Sequence, residues 1–256
     1  MMKKIGSLNG LLLGIISIFG AFFLEGGSLK ALFLIAPIFI VFGGTFAAVI
    51  IGFGIDKFSN ILKLIKIAYF PESYDLNKLV DDFFRLSIKA RKEGLLAIEK
   101  ELKNLKYKFP QKLTRYIIDG ADRETVENLA MLEIKSMQDR HYSNIFIFSK
   151  MGGYAPTMGI LGTVMALIMT LANAGSDPNI LIKNIATAFI ATLWGVLSAN
   201  LLWLPIGDKL KRCHMEEKHM MEMSLEGALA LQSGEIPSIL KARLISMLPQ
   251  KQQQEI

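Results

Sequence analysis

The chain is short of charge. Only 20% of its 256 residues are Asp, Glu, Lys or Arg, against about a quarter in soluble globular proteins. It has one cysteine, Cys213, which excludes a disulfide framework within the chain. Two of its three histidines, His214 and His219, lie beside Cys213 on one short polar stretch. Three ligands so placed do not make the closed set that metals usually need, so no metal site is expected. No Gly-rich phosphate loop or nucleophile–base motif is visible. That argues against an enzyme, and no cofactor is expected. The most informative absence concerns acid. None of the 23 carboxylates falls in any long apolar run. A transporter or pump usually marks its path with an ionisable group inside the membrane. If this chain moves ions, a partner must bring the carboxylate.

Apolar sequence is abundant. Hydrophobic residues make up 52% of the chain and concentrate in four runs: Ile5 to Leu24, Ala31 to Ile55, Met151 to Ala174 and Leu181 to Ile206. A helix of about 20 apolar residues crosses a hydrocarbon core about 30 Å thick. The first run follows Lys3 and Lys4 like a signal peptide, but its core exceeds the roughly 7–15 residues of a signal sequence. It is expected to be retained. Gly26, Gly27 and Ser28 make a tight turn after it, and Gly175 to Asn179 make another between the last two runs. Of the 29 Lys and Arg, only Lys30 and Lys183 lie at these two turns; the other 27 lie on the opposite side. The excess of positive charge marks the cytoplasmic side. Both termini are therefore expected in the cytoplasm. The net charge of +6 is explained without nucleic acid, since acidic residues are mixed in.

The expected fold is an all-α membrane protein with four transmembrane helices. Residues 1–55 hold spans one and two, and residues 150–206 hold spans three and four. Residues 56–149 form a large helical cytoplasmic domain, and residues 207–256 a helical tail. Leu79, Phe83, Leu86 and Ala90 recur at helical spacing in the first part of the internal domain. Arg123 to Ile147 reads as a helix running on into the third span. Gly207 to Ala230 reads as a continuation of the fourth. The end, Pro249 to Ile256, is expected to fray.

Spans three and four differ from the first two. Gly152, Pro156, Gly159, Thr163, Ala166 and Thr170 share one helix face; Ala188, Thr192, Gly195, Ala199 and Leu202 share another. Small faces allow close helix packing. They also suit an inner wall lining a narrow site around a foreign helix. Thr163 and Thr192 would offer hydroxyls to an ion or water there. Pro156 and Pro205 each free a backbone carbonyl and provide candidate hinges. Spans one and two carry Ile16, Phe19, Phe22, Phe39 and Phe42 around their circumference, as expected of an outer, lipid-facing wall.

These features resemble the MotA/PomA subunits of flagellar stators, within the wider MotA/TolQ/ExbB group. The resemblance rests on Ala90-Arg91-Lys92-Glu93-Gly94-Leu95-Leu96-Ala97-Ile98-Glu99, on the run from Ala155 to Val164 that contains Gly159 and Gly162, and on Ala191-Thr192-Leu193-Trp194-Gly195 with Ala199-Asn200 and Leu204 to Leu210. It implies a ring of five subunits around two helices of a B-type partner. That partner would supply the ion-binding aspartate and a peptidoglycan-binding domain. It further implies that ion flow turns the ring against the rotor protein FliG through Arg91, Glu99 and Glu133. Arg91 and Glu99, eight positions apart, would lie about 80° apart around one helix and about 12 Å along it. Pro156 and Pro205 match prolines that couple ion flux to movement, and Thr163 and Thr192 match pore-facing threonines. The transported ion would be Na+ or H+, with the hydroxyl pair leaning slightly to Na+. The alternative is an ExbB/TolQ-like energiser, which usually has three spans and an external amino terminus.

Overall fold

The computed structural model describes residues 2–173, 175 and 177–253. The described residues are helical, with no strand among them. In chain order the helices are α1 (Met2–Leu24), α2 (Leu29–Leu32), α3 (Ile35–Ile38), α4 (Gly44–Phe53), α5 (Ile55–Ser59), α6 (Ile61–Tyr69), α7 (Leu76–Glu93), α8 (Lys108–Ile118), α9 (Arg123–Ala172), α10 (Pro178–Ser198), α11 (Leu204–Gln232), α12 (Pro237–Ser246) and α13 (Gln250–Gln253). Two π-helical stretches, Phe39–Gly43 and Ala199–Trp203, and one 3-10 helix, Leu95–Asn104, complete the list.

The helix ends follow local chemistry. Asp75 caps α7 by accepting the Lys78 N–H at 3.0 Å. Asp122 does the same for α9 through Thr125 N–H at 2.8 Å. Asp177 caps α10, whose first residue is Pro178. Gly94, with φ +88°, ends α7 in a backbone conformation that side chains disfavour.

The chain divides into two compact units. The first comprises residues 1–72 and 141–213; the second comprises residues 73–140 and 214–256. Both boundaries on the C-terminal side fall inside helices, α9 and α11. The tail is thus not a separate appendage. Its residues 214–256 complete the core of the internal domain: Phe83 and Leu86 of α7 join Leu113 of α8, Met137 of α9, Met223 of α11 and Leu240 of α12. Gly227 makes this possible, since a Cβ there would lie 2.8 Å from the Phe83 ring. The expected frayed end is also partly ordered. Residues 250–253 form α13, and the last three residues lie outside the described set.

The first unit holds most of the apolar sequence. Three helical stretches are long and apolar enough to cross a membrane: Ile35–Phe53, and the apolar portions of Arg123–Ala172 and Pro178–Gln232. Leu8–Leu24 is a shorter apolar helix of 17 residues among the described ones. The second run is broken as the sequence does not suggest, with a bend at Phe33–Leu34 and a π stretch before α4. Its aromatics also divide. Phe39 is 77% exposed, whereas Phe42 turns inward and meets Trp194 and Trp203 with ring centroids 6.3 Å away in each case. The expectation of an outward Phe42 is therefore corrected: the π stretch before α4 carries this ring into an aromatic cluster with Phe46.

Candidate functional site: a glycine-locked helix pair with a half-buried hydroxyl couple

α9 and α10 meet through their small residues. A Cβ on Gly159 would lie 2.9 Å from the Ala191 carbonyl oxygen and 3.3 Å from the Gly195 Cα. A Cβ on Gly195 would lie 2.8 Å from the Ala155 carbonyl oxygen, 3.1 Å from the Gly159 Cα and 3.3 Å from the Pro156 Cα. The two backbones are thus in direct contact, which only hydrogen at both positions permits. Gly162 accommodates the Ala191 methyl in the same way, and Ala199 is buried in the core of this unit. Of the two readings of the small faces, close packing between these helices accounts for Gly159, Gly162 and Gly195.

This contact brings Thr163 and Thr192 together. Their hydroxyl oxygens are 2.6 Å apart. Thr163 Oγ1 also lies 3.1 Å from the Gly159 carbonyl and 3.2 Å from the Ala188 carbonyl. Each hydroxyl carries one proton. Thr163 therefore donates to one of the carbonyls while Thr192 donates to Thr163, or Thr192 receives the Thr163 proton instead. Both side chains are half-buried. The couple is a pair of polar oxygens set between α10 and residues 151–172 of α9, neither of which contains an acid.

The prolines occupy different settings. Pro156 lies inside the unbroken α9, half-buried against the Gly195 contact. Its missing N–H leaves the Gly152 carbonyl without its helical donor. Pro205 is exposed in the first turn of α11, directly after the π stretch Ala199–Trp203. There the Leu204 N–H bonds back to the Ala199 carbonyl. The wider π turn coincides with the place where proline withholds a donor, and such turns recur at functional sites.

In the second unit, the structure separates what helical spacing had joined. Gly94 stops α7 after Glu93, so Arg91 lies in the last turn of that helix and Glu99 lies on the following 3-10 helix. The 80° and 12 Å relation between them does not hold, because the chain leaves the helix between them. Both are exposed and make no ion pair among the described residues. Glu133 is half-buried and accepts from Lys112 Nζ at 2.7 Å, which raises the lysine's pKa. The sequence reading missed Glu101, which accepts from Lys89 at 3.0 Å and from Asn104 at 3.0 Å. The Lys89 bond holds the Glu101 carboxyl below its usual pKa. No local pattern announces this pair, since the turn at Gly94 creates it. Also unassigned was Trp194, whose indole N–H donates to the Leu32 carbonyl at 2.8 Å. That bond satisfies the carbonyl beside the bend at Phe33. No group of three potential metal ligands occurs among the described residues.

The chain is similar to known proteins along most of its length. Residues 96–223 match the model of the MotA/TolQ/ExbB proton channel family, and residues 8–94 match the Motility protein A N-terminal model. Motility protein A of Bacillus subtilis is 33% identical over 247 residues, 96% of this chain and 91% of the relative. Motility protein A of Treponema phagedenis is 34% identical over 247 residues, 94% and 95% of the two chains. A chain of the flagellar MotAB stator complex from Bacillus subtilis superposes with a TM-score of 0.89 at 32% identity, covering 97% of each chain. With family models over both halves, relatives along nearly its full length and a stator subunit of the same fold, the chain belongs to the MotA/TolQ/ExbB proton channel family, in its flagellar stator A (MotA/PomA) branch.

Proposed function

We propose that this chain is the ion-conducting A subunit of a flagellar stator. It crosses the bacterial inner membrane four times with both termini in the cytoplasm. Five copies surround two helices of a B-type partner, and the partner supplies the aspartate that binds the ion and the peptidoglycan anchor. Ion flow then drives the ring against FliG, with Arg91, Glu99 and Glu133 as the charges facing the rotor. The observation that carries the reading is the Thr163–Thr192 couple, held at 2.6 Å between two acid-free apolar stretches, residues 151–172 and α10. A proton needs only a carboxylate and a water path. Two adjacent hydroxyl oxygens suit Na+, which must exchange hydration oxygens for protein ones, so the reading leans to Na+. Support for membrane placement comes from the apolar helices and the one-sided distribution of Lys and Arg. The membrane potential supplies about 2.3 kcal/mol per charge at 100 mV. That suffices to switch helix contacts but not to break a packed core. The proline-flanked junctions at Pro156 and Pro205 are where such a switch would act.

The test is the swimming speed of cells that carry this subunit with its cognate partner, measured as sodium is replaced by potassium. Speed falling with sodium supports Na+ coupling. Speed indifferent to sodium but abolished by collapsing the proton gradient assigns H+. Full motility in cells lacking this chain and any other A subunit would overturn the stator reading.

A further inference from the structure

α10 is held from two sides. On one side it meets α9, where the Gly159–Gly195 contact is backbone against backbone. Such a contact sets how near two helices come. It offers no side chains to interlock, so it resists turning of α10 about its own axis only weakly; the Ala191 methyl seated at Gly162 is the one knob in it. On the other side α10 packs on α3 and on the π stretch Phe39–Gly43. Trp194 faces that side. It lies two positions from Thr192, about 160° away around the helix. Its indole N–H donates to the Leu32 carbonyl at 2.8 Å, and its ring lies 5.4 Å from Phe33 and 6.3 Å from Phe42. That carbonyl is open to a side-chain donor because the chain leaves the helix at Phe33, directly after α2.

We propose that Trp194 is a positioning residue for the hydroxyl couple: its bond to Leu32 fixes the rotation of α10 and so holds the Thr192 hydroxyl against Thr163. A hydrogen bond is directional, which a smooth glycine contact is not. Small rotations matter here. A turn of about 10° moves an atom about 5 Å from the helix axis by about 0.9 Å, enough to carry the two oxygens from 2.6 Å out of good hydrogen-bond range. The break in the second apolar run thereby acquires a use. It presents one main-chain acceptor to the helix that bears Thr192, and it ties that helix to the segment before α4. The consequence for ion flow rests on the stator reading above; the rotation itself is measured without reference to motility.

The experiment uses the full chain purified in mild detergent, with Cys213→Ser to remove the native thiol. Thr163→Cys with Thr192→Cys should form an intramolecular disulfide under mild oxidation, followed by mass spectrometry. Adding Trp194→Phe should slow its formation about five-fold, the equivalent of one net hydrogen bond. The benzothiophene analogue of tryptophan placed at the same position keeps the bicycle, lacks the N–H, and should slow it equally. In cells carrying the subunit and its cognate partner, Trp194→Phe should raise the ion concentration for half-maximal swimming speed about five-fold and leave the speed at saturating ion nearly unchanged. With Thr192→Val already present it should add no further shift, because Trp194 acts through that hydroxyl. Failure of the cysteine pair to cross-link, unchanged cross-linking in both Trp194 replacements, or equal ion shifts with and without the Thr192 hydroxyl would each overturn the proposal. An earlier melt with unaltered cross-linking and ion dependence would make Trp194 merely structural and overturn it too. Slowed cross-linking in a chain whose motility ignores Thr192→Val would count against the ion-path reading and leave the rotational role standing.

Discussion

Gly195→Ala tests the helix contact on which the hydroxyl couple depends. The added methyl would lie 2.8 Å from the Ala155 carbonyl oxygen, with the Gly159 and Pro156 Cα atoms close behind. All three neighbours are backbone, so none can rotate away. Moving from 2.8 Å to an ordinary contact of 3.4 Å requires α9 and α10 to part locally by about 0.6 Å. Overpacking of this kind costs roughly 1–3 kcal/mol. Alanine offsets about 1 kcal/mol of that through its higher helix propensity. The expected net effect is a destabilisation of up to about 2 kcal/mol. The same displacement would carry the Thr163–Thr192 contact from 2.6 Å to about 3.2 Å, beyond the roughly 2.5–3.0 Å of a good O–H···O bond. Gly153→Ala is the control. Gly153 sits on the same helix, is exposed, and would give a Cβ no neighbour within 4 Å. Thermal unfolding of both variants in detergent, followed by helical circular dichroism, should show Gly195→Ala melting earlier and Gly153→Ala unchanged or later. Equal melting of the two would refute the claim that these backbones touch.

Three further outcomes follow from the same geometry. Thr192→Val removes a hydroxyl while keeping the shape; Thr163 retains a carbonyl acceptor, so stability should change by about 1 kcal/mol or less while ion-dependent swimming slows, and unimpaired swimming would remove the hydroxyls from the ion path. Arg91→Glu combined with Glu99→Lys should slow rotation yet leave unfolding within about 0.5 kcal/mol, because both residues are exposed; loss of assembly would make them structural instead. Asp82 is buried, and burial raises its carboxyl pKa above the usual value despite Arg85 at 3.1 Å. A raised folded pKa means the folded state holds its proton more tightly, so the carboxylate disfavours folding at neutral pH and this penalty fades as pH falls through the folded pKa. Asp82→Asn should therefore melt above wild type at pH 7, with the gap narrowing on acidification; a gap that widens as pH falls would contradict the burial argument.

Within the second unit, stability rests on a core shared between distant segments. α7, α8 and the early part of α9 supply one side, and α11 and α12 supply the other. The ion pairs around this core are mostly exposed or half-exposed, as in Arg243 with Glu226 at 2.6 Å and Glu235 at 3.0 Å. Pairs of that kind contribute little individually. Arg91 and Glu235 line one shallow cavity of about 110 Å³ there, beside Gln232.

Much of this protein was legible without coordinates. Long runs free of carboxylate identified the apolar helices, because burying charge in hydrocarbon is costly enough to shape composition directly. The three-to-four-residue recurrence of Gly159, Thr163, Gly195 and Thr192 on their helices revealed two small faces, because helical period is a local property. What the sequence could not decide was where those faces went. That Gly159 and Gly195 meet each other, and so set two hydroxyls 2.6 Å apart, depends on how α9 and α10 cross. Likewise the Gly94 turn that parts Arg91 from Glu99, the tail built into the internal domain's core, and the inward swing of Phe42 arise from contacts between residues far apart in the chain. Composition and period are written in each segment by itself; contact, register and enclosure exist only once the segments pack.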